Sequence, residues 1–321
     1  MAGARLSRRA LGPLALGLVA MAGRASAADG GPLPSFRGAI YTFSNSPFPY
    51  HGVKPDDGTP FMDVQSADGR LGHSSPRGGV YYEDQTYSDR RVIVALPGGF
   101  DLRKRAAIVV FFHGNNASLE QDVNGRQHVV DQFQDSGINA AFVAPQFAVD
   151  ALDSSAGRFW QPGAFAQFMA EAATALAGLW GSRSARNSFA ALPIILVAYS
   201  GGYNPAAYAL AVGGVGKRVK GVILLDALIA EEDKFASWIA ANRRSGFFFS
   251  GYTGAAAAGN INTMHLLASH GISYSTSLPQ ALSPGGIYFA ATAGDHDSYM
   301  TGAWVGAPMA WLLGRVPGYG R

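Results

Sequence analysis

Ser200 is the residue of this sequence best placed to act as a nucleophile. It follows a short apolar run that begins at Leu192 and is rich in β-branched residues, as is typical of a strand buried on both faces of a parallel sheet. A sharp turn from such a strand into a helix exposes a hydroxyl at the strand's carboxyl end, but it crowds the residues two positions away. Ala198 and Gly202 stand at those positions and are small. The pattern predicts a strand, a tight turn at Ser200, and a helix.

The segment Ala198-Tyr199-Ser200-Gly201-Gly202 resembles the nucleophile elbow of the α/β-hydrolase superfamily, Gly-x-Ser-x-Gly, with Ala in the first position. The resemblance covers roughly Gly79 to Arg315 and is specific to the superfamily, not to a narrower family. It implies a serine hydrolase in which Ser200 attacks an acyl carbonyl, a histidine takes the serine's proton, and a carboxylate orients the histidine. No cofactor is needed for this chemistry.

His296 is the candidate base. In open α/β sheets, sites form at the carboxyl ends of strands, and His296 alone among the seven histidines comes directly after the final predicted strand, Gly286 to Ala293. It also follows the serine in the chain, as the resemblance requires.

Asp226 is the candidate acid. Many α/β-hydrolases place the acid after the strand that here spans Phe247 to Tyr252, but this chain has no Asp or Glu from 246 to 294. Asp226 ends the strand that follows the nucleophile's strand, a position used by some members of the superfamily. Asp295 and Asp297, which adjoin His296, are the alternatives. Glu231, Glu232 and Asp233 are explained by their place at the start of a helix.

The negative charge that develops on a substrate carbonyl needs preorganised donors. The backbone N–H of Gly201 would supply one. The second is expected from the loop after the strand Ala106 to Phe112, where His113-Gly114-Asn115-Asn116 resembles the His-Gly segment of the superfamily. There Gly114 permits close approach of the backbone and Asn115 offers its N–H, whereas His113 is expected to be structural.

Strands alternate with helices over most of the chain, which predicts an α/β protein with a mostly parallel sheet. In full, we expect a three-layer α/β-hydrolase-like fold with an eight-stranded sheet, helices on both faces and an irregular N-terminal extension. Two antiparallel strands, Val80 to Tyr87 and Arg91 to Leu96, should lead the sheet. The other predicted elements are strands at 106–112, 139–145, 194–199, 219–225, 247–252 and 286–293, and helices at 118–135, 165–180, 206–212, 231–242, 263–269 and 299–313.

Three segments differ in composition. Residues 1–27 have a basic start, an apolar segment and an Ala25-Ser26-Ala27 cleavage site, which predicts an export signal of twin-arginine type, with Sec export as the alternative. Residues 28–78 are rich in Gly, Pro, Ser and Asp and predict an irregular extension that packs on the main domain, residues 79–321. The mature chain is therefore expected in the periplasm of a bacterium or outside the cell, without a stable membrane anchor.

Composition excludes several classes of function. The chain has no cysteine, which excludes disulfides, thiol nucleophiles and thiolate metal sites. Removing the four arginines of residues 1–27 from the 25 basic residues leaves 21 against 22 acidic residues, so a nucleic-acid partner has no electrostatic support. Neither Asp56-Asp57 nor Asp295-His296-Asp297 has enough ligands to indicate a metal site.

A small or medium carboxylic ester is the expected substrate. The usual lid position, Ala227 to Ser245, has room for one helix, which argues against a lipase with a large mobile lid. Selection would then fall to the extension and to the loop from Phe147 to Gly163. Two alternatives remain open at this point: a peptidase or amidase that acts on peptide or cell-wall material, and a hydrolase-like scaffold that only binds. The expected apolar walls of the cleft are Phe159, Trp160, Tyr199 and Tyr203.

Overall fold

The computed structural model describes residues 31–321, so the predicted export signal lies outside the described residues. The described chain forms one eight-stranded sheet and one small three-stranded sheet. In chain order the strands are β1 (Arg37–Thr42), β2 (Val64–Gln65), β3 (Leu71–Ser74), β4 (Val80–Tyr82), β5 (Arg91–Leu96), β6 (Ala107–Phe112), β7 (Ala140–Pro145), β8 (Ile194–Tyr199), β9 (Val219–Leu225), β10 (Phe247–Tyr252) and β11 (Ile287–Ala291).

The large sheet has the order β1-β5-β7-β6-β8-β9-β10-β11. Strand β5 runs antiparallel to both β1 and β7. The six strands β7, β6, β8, β9, β10 and β11, which follow in this order across the sheet, are parallel to one another. Every residue of β6, β7 and β8 is buried, which agrees with their continuous apolar sequences. The predicted mostly parallel, eight-stranded sheet is confirmed, with β8 in its interior.

Helices cover both faces of this sheet. They are α1 (Glu83–Thr86), α2 (Val129–Asp135), α3 (Ala164–Trp180), α4 (Arg186–Ala191), α5 (Tyr203–Ala211), α6 (Glu232–Asn242), α7 (Ala257–Ser269), α8 (Tyr299–Gly302) and α9 (Pro308–Leu313). Successive residues of β6 point to opposite faces, so that Ile108 and Val110 join a core with α3, whereas Val109 and Phe111 join a second core with α2 and α9. The predicted three layers are confirmed.

The predicted pairing at the start of the sheet is wrong. Only Val80–Tyr82 of the segment 80–87 is extended, and it pairs with β3 in the small sheet before the chain turns into α1. The place predicted for segment 80–87 beside β5 is taken by β1, which pairs antiparallel with β5, with Arg37 opposite Leu96 and Thr42 opposite Arg91. The segment predicted to be irregular therefore supplies one of the two edge strands of the main sheet.

Two predicted helices are interrupted. The helix predicted from 118 to 135 is a wide turn over Leu119–Arg126 followed by α2, and His128 between them has a left-handed backbone with φ of 49°. The predicted closing helix is divided into α8 and α9, and Pro308, which lacks a backbone N–H, begins the second part. Conversely, α7 is longer than the predicted 263–269, because it begins at Ala257.

Residues 31–78 lie against the loop between β7 and α3. Phe48 and Phe61 are buried there, and their rings pack on Tyr87, with 5.1 Å between ring centres in both pairs. Ser75 Oγ donates to the carbonyl of Leu152 (2.6 Å), and Arg158 N–H donates to the carbonyl of Pro47 (2.8 Å). Residues 31–78 are thus fixed to a loop that borders the carboxyl end of β8.

No helix in residues 31–321 has the length and apolar character that crossing a membrane requires.

Candidate active site

Ser200 occupies the tight turn between β8 and α5. Its φ is +50°, a conformation that costs energy for a residue with a side chain and that is characteristic of the strained elbow. A Cβ at Gly202 would overlap the carbonyl group of Phe112 on the neighbouring strand β6, so a side chain cannot be accommodated there. The close packing explains why the residues around the serine are small. Ser200 retains 6% exposure.

The structure brings the three predicted side chains into one hydrogen-bonded chain. Ser200 Oγ lies 2.6 Å from His296 Nε2, and His296 Nδ1 lies 2.7 Å from Asp226 Oδ2. The three residues follow β8, β11 and β9, whose carboxyl ends meet at the same edge of the sheet. This arrangement allows His296 to accept a proton from Ser200 while its other nitrogen donates to a carboxylate.

Asp226 is fully buried and held on both of its oxygens. Thr253 donates to Oδ1 through its backbone N–H (2.8 Å) and to Oδ2 through its hydroxyl (2.7 Å). Burial acts to raise the pKa of Asp226, but the hydrogen bonds from His296 and Thr253 together outweigh it, so that the pKa is lowered. A buried, ionised carboxylate therefore faces His296.

Thr253 is a residue that the sequence analysis misses. It follows β10 directly, at the strand end where many α/β-hydrolases carry the acid itself. Here that position supplies two donors to the acid on β9. The absence of any acid between residues 246 and 294 is the sequence signal that could have directed attention to this strand end.

The alternative acids have other partners. Asp295 is exposed and accepts from the backbone N–H and the hydroxyl of Ser298 (2.9 and 2.7 Å). The exposed Asp297 makes no hydrogen bond to His296 in the described chain. Instead, His296 is supported by Tyr199, whose hydroxyl donates to the His296 carbonyl (2.7 Å) and whose ring stacks on the imidazole.

The predicted oxyanion loop lies against the nucleophile. A Cβ added to Gly114 would come within 2.7 Å of Ser200 Cβ, so glycine is needed at this position. Gly201 is the second residue of the turn that opens α5, where a backbone N–H has no acceptor within the helix. The N–H of Gly201 can therefore serve an external oxygen. Asn115, the other predicted donor, follows Gly114 in the loop and has its side chain against Gly201.

The buried side chain of His113 holds this loop in place through hydrogen bonds. Its Nδ1 lies 2.7 Å from the carbonyl of Gly114, and its Nε2 accepts from the backbone N–H of Phe147 (2.9 Å). Burial lowers the pKa of His113, so the ring is neutral and one tautomer satisfies both contacts. These contacts agree with the structural role expected for His113.

Two of the four predicted cleft walls are wrong. Phe159 is 0% exposed and packs among Phe112, Phe165 and Phe168, so its ring belongs to the core. Tyr199 is 5% exposed and supports His296, as described above. Trp160 and Tyr203 are half-buried and adjoin the site through α5: Trp160 Nε1 donates to Asn204 (3.0 Å), next to Tyr203.

The described residues contain no group of three or more His, Asp or Glu side chains arranged to hold a metal ion.

Comparison with known proteins shows similarity in structure. No protein-family profile and no curated protein sequence matches this chain. A solved ferulic acid esterase is 14% identical with a TM-score of 0.50, and the match covers 89% of this chain and 99% of that one. A mutant feruloyl esterase module from Clostridium thermocellum is 15% identical with a TM-score of 0.45, covering 85% and 96%. An S-formylglutathione hydrolase from Agrobacterium tumefaciens is 14% identical with a TM-score of 0.39, covering 78% and 98%.

The sheet order, the turn at Ser200 and the match over almost the full length of the ferulic acid esterase agree with one another. The chain has the α/β-hydrolase fold.

Proposed function

We propose that this protein is a serine hydrolase that cleaves carboxylic esters through an acyl-enzyme. Ser200 is the nucleophile, His296 is the general base and acid, and Asp226 orients His296. The observation that carries the proposal is the unbroken chain of hydrogen bonds from Ser200 Oγ through His296 to Asp226, at 2.6 and 2.7 Å.

The reaction follows from these contacts. Ser200 Oγ attacks the ester carbonyl while His296 Nε2 takes the hydroxyl proton, and Asp226 stabilises the imidazolium that forms. The carbonyl oxygen becomes an anion that accepts from the N–H groups of Gly201 and Asn115. His296 then delivers its proton to the leaving alcohol oxygen. Water then attacks the acyl carbon while His296 takes one of its protons. The bond from the acyl carbon to Ser200 Oγ breaks, His296 returns the proton to Oγ, and the carboxylic acid leaves.

The surroundings of the site favour a small or medium carboxylic ester as the substrate. Between β9 and β10 the chain forms α6 as its one long element, so this segment adds no second helix that could act as a large lid. The loop between β7 and α3 is fixed by hydrogen bonds to residues 31–78, which favours a preformed cleft over one that opens widely.

A substrate panel tests this proposal. Wild type and Ser200→Ala should be compared on 4-nitrophenyl esters from acetate to decanoate, on methyl ferulate because one structural neighbour is a ferulic acid esterase, and on aminoacyl 4-nitroanilides. We expect turnover of short esters that is lost in Ser200→Ala. Faster cleavage of the anilides would indicate an amidase, and no turnover of any compound would contradict the proposal.

We also infer that the protein is exported, on the basis of the residue pattern in positions 1–27. Expression of the full chain in a bacterium should yield a periplasmic protein that begins at Ala28. The full-length chain recovered from the cytoplasm alone would contradict this inference.

A further inference from the structure

Arg77 lies on a short turn that brings the small sheet to the mouth of the candidate site. The turn joins β3 to β4 and is closed by hydrogen bonds from Ser75 N–H to Gly79 O (3.0 Å) and from Gly78 N–H to Ser75 O (2.9 Å). The hydroxyl of Ser75 also donates to the carbonyl of Leu152 (2.6 Å). Because both ends of the turn are fixed, the Arg77 backbone has a defined position.

The guanidinium of Arg77 reaches the residue beside the nucleophile. Because a guanidinium only donates hydrogen bonds, the side-chain oxygen of Asn115 faces Arg77 Nη1 (3.2 Å), and the Asn115 amide nitrogen donates to the carbonyl of Asp153 (2.9 Å). A Cβ at Gly201 would run into this same Asn115 amide. One side chain therefore separates Arg77 from the backbone N–H groups proposed to stabilise the oxyanion.

Arg77 also lies close to the hydroxyl of Tyr203, on the side of the site where Asn115 lies. Burial raises the pKa of the Tyr203 hydroxyl, and the positive charge of Arg77 acts in the opposite direction because it lies close to that hydroxyl. Tyr203 is the first residue of α5, three positions after Ser200. Arg77 thus lies at the mouth between Asn115 and Tyr203.

The charge of Arg77 has no acidic partner among residues 31–321. The acid nearest along this network, Asp153, is already occupied: Tyr87 donates to its Oδ2 (2.8 Å), and Ser155 donates twice to its Oδ1. Arg77 is exposed. By contrast Arg70, just before β3, is paired with Asp68 (3.1 Å) and lies over the ring of Tyr82.

We propose that Arg77 is a specificity-determining residue that binds a carboxylate of the substrate close to its scissile ester. This inference rests on the proposed esterase function and names its substrate class, esters that carry an anionic group. A guanidinium recognises a carboxylate through two parallel N–H donors. Asn115 and the Tyr203 hydroxyl can take two of the five donors of Arg77, which leaves three for a substrate. The turn from residue 75 to 79 thereby gives residues 31–78 a role in substrate selection.

Two pairs of esters test this inference, because the carboxylate could lie on either side of the scissile bond. The acyl-side pair is 4-nitrophenyl hydrogen adipate and its methyl ester, and the alcohol-side pair is 4-acetoxybenzoate and its methyl ester. The quantity measured is the ratio of kcat/KM for the anionic to the neutral member, in wild type, Arg77→Gln and the control Arg70→Gln. Comparing this ratio between variants cancels the intrinsic reactivity of each ester.

We expect Arg77→Gln to lower the ratio about tenfold for at least one pair, as the loss of a charge-assisted contact implies, and Arg70→Gln to leave it unchanged. Thermal unfolding and labelling of Ser200 by a fluorophosphonate show that each variant is folded and reactive. A ratio within twofold of wild type for both pairs in a reactive Arg77→Gln would overturn the inference and leave the esterase proposal intact. If wild type hydrolyses none of the four esters, this inference fails, and the esterase proposal fails with it only when the esters of the substrate panel are not hydrolysed either.

Discussion

Replacing Asp226 with Asn keeps the shape of the side chain but reverses the hydrogen bond that orients His296. The backbone N–H of Thr253 donates to Oδ1 (2.8 Å), so the amide oxygen of Asn would take that position. The amide nitrogen, a donor only, would then face His296 Nδ1 at the place of Oδ2, 2.7 Å away. His296 must accept at Nδ1 and carry its proton on Nε2, which faces Ser200. In that tautomer Nε2 has no lone pair to take the serine's proton.

We expect this change to lower kcat about 10⁴-fold, the size of effect that the wrong histidine tautomer produces in a serine triad. That factor corresponds to about 5 kcal/mol of lost transition-state stabilisation. The assay is the initial rate of 4-nitrophenyl acetate hydrolysis, with circular dichroism and thermal unfolding to show that Asp226→Asn is folded.

Asp295→Asn is the matched control, since its carboxylate is exposed and bonds to Ser298. It should retain nearly wild-type turnover. The reasoning is refuted if folded Asp226→Asn stays within tenfold of wild type, or if Asp295→Asn loses as much activity as Asp226→Asn.

Three further predictions follow from the same contacts. Gly114→Ala should lower kcat for 4-nitrophenyl acetate about a hundredfold, since its Cβ would lie 2.7 Å from Ser200 Cβ and displace the oxyanion loop. Gly178→Ala is the control: a Cβ there meets no atom within 4 Å, so the rate on the same ester should not change. Thr253→Val removes a donor from buried Asp226 and should lower the free energy of unfolding in urea by about 1.5–3 kcal/mol; a loss below about 0.5 kcal/mol would contradict this. Because the pKa of Asp226 is lowered in the folded state, its ionised form stabilises the fold above the unfolded pKa of about 3.9, and this stabilisation is lost as the pH falls through the lower folded pKa. The difference in unfolding free energy between wild type and Asp226→Asn should therefore shrink from pH 5 to pH 2 in urea titrations, and a constant difference would contradict the assignment.

The sequence predicts the centre of the fold well because the central strands are buried on both faces. Strands β6, β7 and β8 are continuous apolar runs, so their bounds are predicted to within one or two residues. The residues that follow parallel strands meet at one edge of the sheet, and for this reason Ser200, Asp226 and His296 could be selected by their places after strands.

The periphery is less predictable, for identifiable physical reasons. Strand β1 is an edge strand whose residues are half-buried or exposed, so it has no apolar run to distinguish it from a loop. The segment 80–87 is rich in tyrosine, which favours strands, yet three residues alone are extended before Glu83 and Asp84 begin a helical turn. Local composition cannot distinguish these outcomes, because the pairing partner decides them.

The surroundings of the candidate site depend on contacts between distant parts of the chain. Phe159 lies next to Trp160 in the sequence, but its side chain is buried in the core and does not line the cleft. Thr253 and Arg77 carry no motif, and their contacts with Asp226 and Asn115 appear only when strands and turns far apart in sequence are brought together.

Covalent labelling of Ser200 tests the central claim most directly. The folded protein should be treated with a fluorophosphonate, and the modified residue should be identified by mass spectrometry of its peptides. The hydrogen-bonded chain from Ser200 to Asp226 predicts stoichiometric modification of Ser200 in wild type and none in Ser200→Ala. Wild type that is folded but unlabelled at Ser200, or equal labelling of Ser200→Ala, would contradict the assignment of a serine nucleophile.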